Sequence, residues 1–261
     1  MDRNHIDKIA QSDQDRLLLA KLWDKIQSGI FKNIPANTPF LAPREQALAQ
    51  YLFGNTQGLY FYGGYEDAER KMLVYLPDYL QEDWLQSEDS CLCCLRATFY
   101  ENDCLTHRDF LGALMGAGIA RQAIGDICVH TGSCDFLTTR ELAPYILQNV
   151  TEAGRTKLHI VQIPLDQLQV PQMQTQQIRD TVASVRLDSI LATGFRMGRA
   201  QASQYIGAGK VAIDGAICDK PDKIITSGAT ISVRGAGKIQ LTEIGRQTKK
   251  GRISVVIDRY I

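Results

Sequence analysis

RLDSILATGFRMGRAQASQYIGAGKV, residues 186–211, is the stretch around which the rest of the chain is read. It predicts two short amphipathic helices, Leu187 to Thr193 and Gly198 to Ile206, joined by the tight turn Gly194-Phe195-Arg196-Met197 and closed by Gly207 and Gly209. Leu187, Ile190 and Leu191 share one helix face, as do Ala202, Tyr205 and Ile206, so two apolar stripes can face each other. The cations fall elsewhere: Arg196 in the turn, Arg199 at the start of the second helix, Lys210 just past its end. An Arg at a helix N-terminus opposes the macrodipole unless an anion sits there, and that mismatch points to anion binding.

Downstream, Lys210 to Ile213 reads as a strand, Asp214-Gly215 as a two-residue hairpin turn, and Ala216 to Cys218 as the return strand. The turn Lys220-Pro221-Asp222-Lys223 and a strand from Thr230 to Arg234 follow. Arg186-Leu187-Asp188, Arg199, Ala208-Gly209-Lys210-Val211, Asp214-Gly215 and Lys220-Pro221 together resemble the RNA-binding domain named after ribosomal protein S4. Two positions depart from that pattern: Gly198 stands where a Ser is usual, and Asp214 where an Asn is usual. Gly is a tolerable N-cap and Asp-Gly turns as Asn-Gly does, so the fold is expected to survive both.

The 261 residues carry 29 Lys plus Arg against 29 Asp plus Glu, a net charge of zero that by itself argues against a nucleic-acid binder. The distribution reverses the argument. From Ser184 onward there are 13 basic and 6 acidic residues, net +7, which leaves 16 and 23, net −7, for the remainder. A basic module on an acidic body is the asymmetry expected where one end meets phosphate. Seven cysteines do not pair evenly, and neither a signal peptide nor a long apolar run is read, so a reduced, cytoplasmic, soluble protein is expected. The C-x-C-C spacing of Cys91, Cys93 and Cys94 is not that of a zinc ribbon, and neighbouring strand residues point apart, so these are read as buried thiols and no metal site is expected.

Fold class is read as multidomain α+β: a small α/β N-terminal region over 1–80, a middle domain over 81–168, a Gln/Pro linker over 169–183, and the basic module over 184–261. The first region carries a helix from Asp15 to Ile30, a second after Pro43, and strands Gly58 to Tyr62 and Lys71 to Leu76 around Gly63-Gly64. Arg44, Glu45, Arg70 and Lys71 are read as solvated charges, with ligand contact as the alternative. In the middle domain the predicted order is strand (Cys91 to Tyr100), helix (His107 to Ala123), two strands (Ile127 to His130, Cys134 to Thr138), helix (Thr139 to Ala153), strand (Lys157 to Ile163). That is the ferredoxin-like plan shared by RNA-recognition motifs. The aromatic signature on the central strands is missing, since Ile127 to Thr138 offers only Phe136, which favours a structural or docking role for this sheet. Pro164 to Thr181 is Gln-rich with little periodicity, hence the linker. Beyond a strand Ile239 to Ile244, the turn with Lys249, Lys250 and Arg252 forms a second cationic lip before a closing strand Ile253 to Ile257.

Taken together, Phe40 to Gln46, Gly63 to Lys71, Arg108 to Ile119, Ile124 to Ile127, the S4-like module and Thr248 to Arg252 resemble the YlmH family of bacterial RNA-binding proteins, from about residue 10 onward. The resemblance implies binding to rRNA, with tRNA as a further partner, on the large ribosomal subunit, in ribosome-associated quality control or translation; gene neighbourhood also links the family to cell division. It further implies that Arg186, Arg196, Arg199, Lys210 and Lys220, with Lys223 beside them, lie on the RNA face, while Arg186 has the alternative of anchoring the first helix through Asp188. A monomer with no membrane contact, no cofactor and no catalytic residue is expected. An RNA-modifying enzyme related to pseudouridine synthases and a division scaffold remain the alternatives, although no phosphate loop, nucleophile elbow or synthetase signature is present and the four His residues are scattered.

Overall fold

A computed structural model describes residues 6–54, 56–171, 175–248 and 251–260. The chain divides into two compact units, Met1–Pro171 and Gln172–Ile261.

The first unit opens with α1 (Ile6–Ile9) and α2 (Asp13–Lys32). Ser12 caps α2 by accepting a hydrogen bond at Oγ from the Asp15 amide, and Asn33, left-handed at φ 52°, ends it. Strand β1 (Ala36–Asn37) leads to α3 (Pro43–Phe53), where Pro43 occupies the first turn and the Glu45 carboxylate accepts from the Ala42 amide at 2.6 Å. Strands β2 (Leu59–Tyr62) and β3 (Met72–Tyr75) complete an antiparallel sheet of order β1-β3-β2. All four residues of β3 are buried, so the strand has two dry faces: Leu73 and Tyr75 meet Leu19, Leu22 and Ile26 of α2, while Met72 and Val74 turn the other way.

That other face packs on a second sheet. Strand β4 (Leu92–Thr98), α4 (His107–Gly116), β5 (Ile124–His130), β6 (Ser133–Thr139), α5 (Ala143–Asn149), the small hairpin β7 (Glu152–Ala153) and β8 (Thr156–Lys157), and β9 (His159–Ile163) follow in chain order. The four-stranded sheet runs β5-β6-β4-β9 with every pair antiparallel. Cys93, Leu95 and Ala97 of β4 pack with Phe110 and Leu114 of α4 and Ile146 of α5, whereas Leu92 and Cys94 pack with Phe40, Met72, Val74 and Leu137. One core therefore crosses residue 80, and the division placed there does not separate two bodies. Both helices are shorter than the apolar pattern suggests. Gly118 at φ 83° turns the chain after α4, and the segment after α5 becomes a hairpin around Gly154 at φ 60°.

Two bidentate ion pairs fasten this unit. Arg44 donates from both terminal nitrogens to the Asp15 carboxylate at 2.7 Å, and Arg96 donates to the fully buried Asp135 at 2.6 and 2.7 Å. The Arg44 hydrogen bonds hold the Asp15 carboxyl below its ordinary value of 3.8, so its stabilisation is complete above that value and is lost as pH falls through the lower folded-state value. Urea midpoints of the wild type and of Asp15→Asn are therefore expected to differ near neutral pH and to converge as the pH falls through the lowered folded-state value of the Asp15 carboxyl; a constant gap would contradict the assignment.

The second unit holds α6 (Leu187–Gly194) and α7 (Arg199–Gly207) against one sheet. Its strands are β10 (Thr175–Val182), β11 (Val211–Ile213), β12 (Ala216–Ile217), β13 (Thr230–Val233), β14 (Gly237–Gln247) and β15 (Ile253–Tyr260), in the order β10-β15-β14-β13-β11-β12. Leu187, Ile190, Leu191, Ala202 and Ile206 are buried against Ile231, Val233, Ile239, Leu241, Val255 and Ile257. The Asp214-Gly215 turn has both residues at positive φ, 48° and 82°, as a two-residue hairpin requires. The linker assignment over 169–183 is corrected here: Thr175–Val182 pairs with β15 along eight residues, Thr175 to Val182 opposite Tyr260 to Ile253. Only Ile178 and Val182 of that strand are buried, so its composition is that of an edge with one polar face.

Candidate nucleic-acid interface

The first turn of α6 organises the basic end of the second unit. Its leading amides are already taken: Leu187 N–H donates to the Lys223 carbonyl at 2.8 Å and Asp188 N–H to the Pro221 carbonyl at 3.0 Å. These bonds hang the loop carrying Lys220 and Lys223 on the start of α6, and they leave no open helix N-terminus there for a ligand. Asp188, 7% exposed, sits where an acid complements the dipole and is the acceptor for two arginines. Arg199 Nη2 lies 3.0 Å from its Oδ2 and 2.8 Å from Ser189 Oγ, and Arg186 Nε lies 3.3 Å from its Oδ1. The anion that Arg199 was expected to await from outside is therefore supplied in part from within, by Asp188. Arg186 takes the anchoring position that was its alternative. Both guanidinium groups remain accessible, at 40% and 55% of their side-chain surface, so each has donors facing solvent.

The other expected cations differ in what holds them. Arg196 is exposed in the turn between the helices, left-handed at φ 53°, and makes no ion pair among the described residues. Lys210 is exposed, with Nζ 5.7 Å from the centre of the Tyr205 ring, and its carbonyl accepts from the Arg234 amide at 2.9 Å. Cys218, whose amide donates to the Val211 carbonyl, connects this strand start to the Lys220 loop through a long sulfur contact to the Lys220 carbonyl. Arg186, Arg199, Lys220 and Lys223 thus gather at the start of α6, with Lys210 and Arg234 next along the sheet. Arg252 instead donates from Nε to Thr181 Oγ1 at 2.8 Å and from Nη2 to the Thr181 carbonyl, binding the end of β10 to the start of β15. Arg252 is exposed, so these two bonds fix the guanidinium at the sheet edge and leave its remaining donors facing outward. Lys249 and Lys250 lie outside the described residues. Asp214, the departure from Asn, uses its carboxylate to accept from the Thr230 amide at 2.8 Å.

Sequence reasoning missed Arg234, Lys238 and Arg259. Arg259 carried a usable signal: Val255 and Ile257 are buried, and the period of two puts Arg259 on the same face, beyond the end of the core. Its Cζ lies 5.5 Å from the centre of the Phe195 ring. Lys238 sits 5.1 Å over Tyr260 on the other face.

The first unit presents a different picture. Its four-stranded sheet has helices on one face and, along β4 from Leu92 to Arg96, the N-terminal sheet and the segment 165–169 on the other: Arg96 donates to the Gln167 carbonyl, and the Gln169 amide donates to Asp135. Phe136 is 1% exposed and faces the helices, so it offers no stacking platform for a base. The motif residues of this unit serve its packing. Asp126 accepts from Tyr65 Oη, the Glu69 amide and the Arg70 amide at 2.8, 2.7 and 3.0 Å, and the Arg70 side chain donates to the Ile124 and Phe40 carbonyls. Lys71 donates to the Glu66 carbonyl.

Cys93 and Cys94 point into opposite cores. Burial pushes the thiols of Cys91 and Cys93 up to about 11 and that of Cys128 up to about 12, so they stay protonated at neutral pH. Among the described residues no group of His, Cys, Asp and Glu could hold a metal ion, and no helix is long and apolar enough to cross a membrane.

Residues 99–167 match the family model described as "Putative RNA-binding domain in YlmH", and residues 185–231 match the model of the S4 domain. The "Ribosome-associated protein quality control protein P2" of Bacillus subtilis (strain 168) is 32% identical over 223 residues, which is 85% of this chain and 86% of that protein. Among solved structures, "Cell division protein ylmH from Streptococcus pneumoniae" is 23% identical with a TM-score of 0.48, covering 61% of this chain and 98% of the other.

Proposed function

Because this chain belongs to the YlmH family of RNA-binding proteins with an S4 domain, we propose that it is a non-catalytic factor that holds structured rRNA, and tRNA beside it, on the large ribosomal subunit. The observation that carries this reading is the set of cations built around Asp188: two arginines oriented by one buried carboxylate, with the Lys220–Lys223 loop hung on the same helix start. Orientation by a fixed acceptor favours phosphate contacts of defined register, which is how a protein reads the shape of a folded RNA rather than its base edges. The relative's printed name supports a role in ribosome-associated quality control, and this chain is read as a monomer acting in the cytoplasm.

We read the segment from β4 to β9 as ferredoxin-like, a reading supported by its strand and helix order and by the sheet order β5-β6-β4-β9. Its role here is structural or docking, since the face that would carry bases is occupied along β4.

Ultraviolet crosslinking in living cells, followed by sequencing of the bound RNA, tests the choice of partner. Reads concentrated in large-subunit rRNA, with tRNA as the second class, are the expected result. Reads spread over messenger RNA, or confined to small-subunit rRNA, would contradict it.

A further inference from the structure

One edge of the four-stranded sheet of the first unit is β9, and that strand ends in a cavity. Along an antiparallel pair, residues alternate between those whose N–H and C=O groups enter the ladder and those whose groups turn away from it. The Leu158 amide turns away from β4 and donates to the Thr151 carbonyl at 2.9 Å, where the β7–β8 hairpin covers the edge. Ile160 and Gln162, two and four residues further on, turn the same way beyond that hairpin, and their outward groups meet no backbone partner among the described residues. Nothing in the strand blunts this edge. His159-Ile160-Val161-Gln162-Ile163 carries no Lys, no Pro and no bulge, and Val161 and Gln162 are exposed. Such an edge is a template for a further strand. Past its end lies a cavity of about 650 Å³, lined by Gln162 to Asp166, Leu92, Tyr62 and Arg140 among others. Two hydrogen-bond donors of its wall have no acid opposite them. Arg140 is half-buried, spends Nε on the Ser90 carbonyl at 2.7 Å and makes no ion pair among the described residues, which leaves its two terminal nitrogens. The Tyr62 phenol oxygen is buried without a hydrogen-bond partner, and burial pushes the phenol up to about 12, so it stays an O–H donor at neutral pH. An acceptor entering the cavity relieves both. Glu88 and Asp166 also line it, but both are exposed.

We propose that β9 takes the C-terminal tail of a partner protein as an added strand, with the terminal carboxylate of the tail held in the cavity by Arg140 and Tyr62. A peptide is the class of ligand that uses both halves of this surface. Its main chain meets the outward groups of Ile160 and Gln162, and its end carries a planar anion that matches a guanidinium fork. The tail runs parallel to β9, because its last residue lies beyond Ile163. An apolar last side chain fits Leu92, Ile163 and Leu165, and a Lys or Arg before it fits the exposed Glu88 and Asp166. Those two acids repel a polyanion, so this surface does not continue the RNA contact. The proposal stands apart from the RNA-binding reading and gives the first unit a partner of its own.

The test uses the full chain and a random heptapeptide library with free C-termini, selected on the immobilised protein. Enriched sequences are then synthesised as free acids and as amides, and their binding is measured by fluorescence anisotropy. Peptides with an apolar last residue and Lys or Arg before it are expected, and amidation is expected to weaken them by about tenfold or more, the scale of a charge-assisted contact. Arg140→Gln is expected to remove the preference for the free acid, and Tyr62→Phe to weaken the free acid by about threefold. Gln162→Pro deletes an outward N–H at an exposed edge position and leaves the ladder to β4 intact, so about two- to tenfold weaker binding is expected from a protein that melts as the wild type does. That variant carries the test if Arg140→Gln fails to fold. Equal binding of acids and amides, wild-type affinity in Gln162→Pro, or no peptide tighter than about 1 mM would overturn the proposal. Binding of inorganic phosphate that no peptide displaces would make the cavity a small-anion site and overturn it too. Wild-type dimers that Gln162→Pro dissolves would assign the edge to a second copy of this chain instead. Gln162→Pro is expected to bind large ribosomal subunits as the wild type does, so failure of the peptide proposal leaves the RNA-binding reading standing.

Discussion

Asp188→Asn is expected to weaken RNA binding by about tenfold even though it removes a negative charge from the basic module, because a charge-assisted contact that orients two arginines is worth roughly 1.5–3 kcal/mol. Simple electrostatics gives the opposite sign: one acid fewer raises the net charge of the module and should tighten binding to a polyanion. The two expectations separate because Asp188 holds Arg199 at 3.0 Å and Arg186 at 3.3 Å, and its own amide holds the Pro221 carbonyl. Asn can accept from one of the arginines but carries no charge to hold both. Since both arginines are substantially exposed, the stability loss is expected to be modest, about 1 kcal/mol, which in a unit of this size lowers the melting temperature by roughly 4–8 °C. Tighter binding by Asp188→Asn would show that the cations act as a diffuse field, with no need for fixed positions.

The largest effect on stability is expected from Asp135→Ala, at about 3–5 kcal/mol, the range found when one member of a buried pair is removed. Asp135 has no exposed surface and accepts from Arg96 twice and from the Gln169 amide at 2.8 Å. Its loss leaves a guanidinium without its partner and frees the segment that crosses the sheet. Replacing both partners by apolar residues, Arg96→Met with Asp135→Leu, is expected to recover much of the loss, because the desolvation cost of the pair disappears with the pair. Chemical denaturation of the three proteins measures this. Salt-dependent RNA binding by the native Asp135→Ala protein is expected to match the wild type, since the cations proposed to meet RNA lie in the other unit. A stability loss below about 1 kcal/mol would place the pair among ordinary surface ion pairs.

What could be read from the residues, and what could not, follows from the range of the forces involved. The helix pair was legible because helix faces and turns are local: Leu187, Ile190 and Leu191 lie inward, Gly198 precedes α7, and Asp214-Gly215 turns as its residues demand. Strand β10 was missed because a two-apolar edge, Ile178 and Val182 among Thr, Gln, Arg and Asp, looks like a linker until its partner β15 is in place. The shared core of the first unit was hidden for a similar reason. Met72 and Val74 alternate with Leu73 and Tyr75 in a run that reads as simply apolar, and nothing local says that the second face meets another sheet. Of the site, the cations themselves were visible, but their partners were not. Arg199 and Asp188 are eleven residues apart, Arg252 and Thr181 seventy-one, and no spacing rule joins either pair. Arg259 belongs to no cluster of charge, and its signal is a strand period, Val255 and Ile257, that continues past the core.

The most direct measurement is sedimentation of the full chain with purified large ribosomal subunits on a density gradient, comparing wild type with a protein in which Arg196, Lys210 and Lys220 are all changed to Ala. These three exposed cations leave the Asp188 anchor intact, so the fold of the module is retained. Co-migration of the wild type at low salt, lost in the triple variant and lost by the wild type as salt rises, is the expected result. Co-migration of the triple variant undiminished, at either salt, would contradict the claim that this basic face is what binds the subunit.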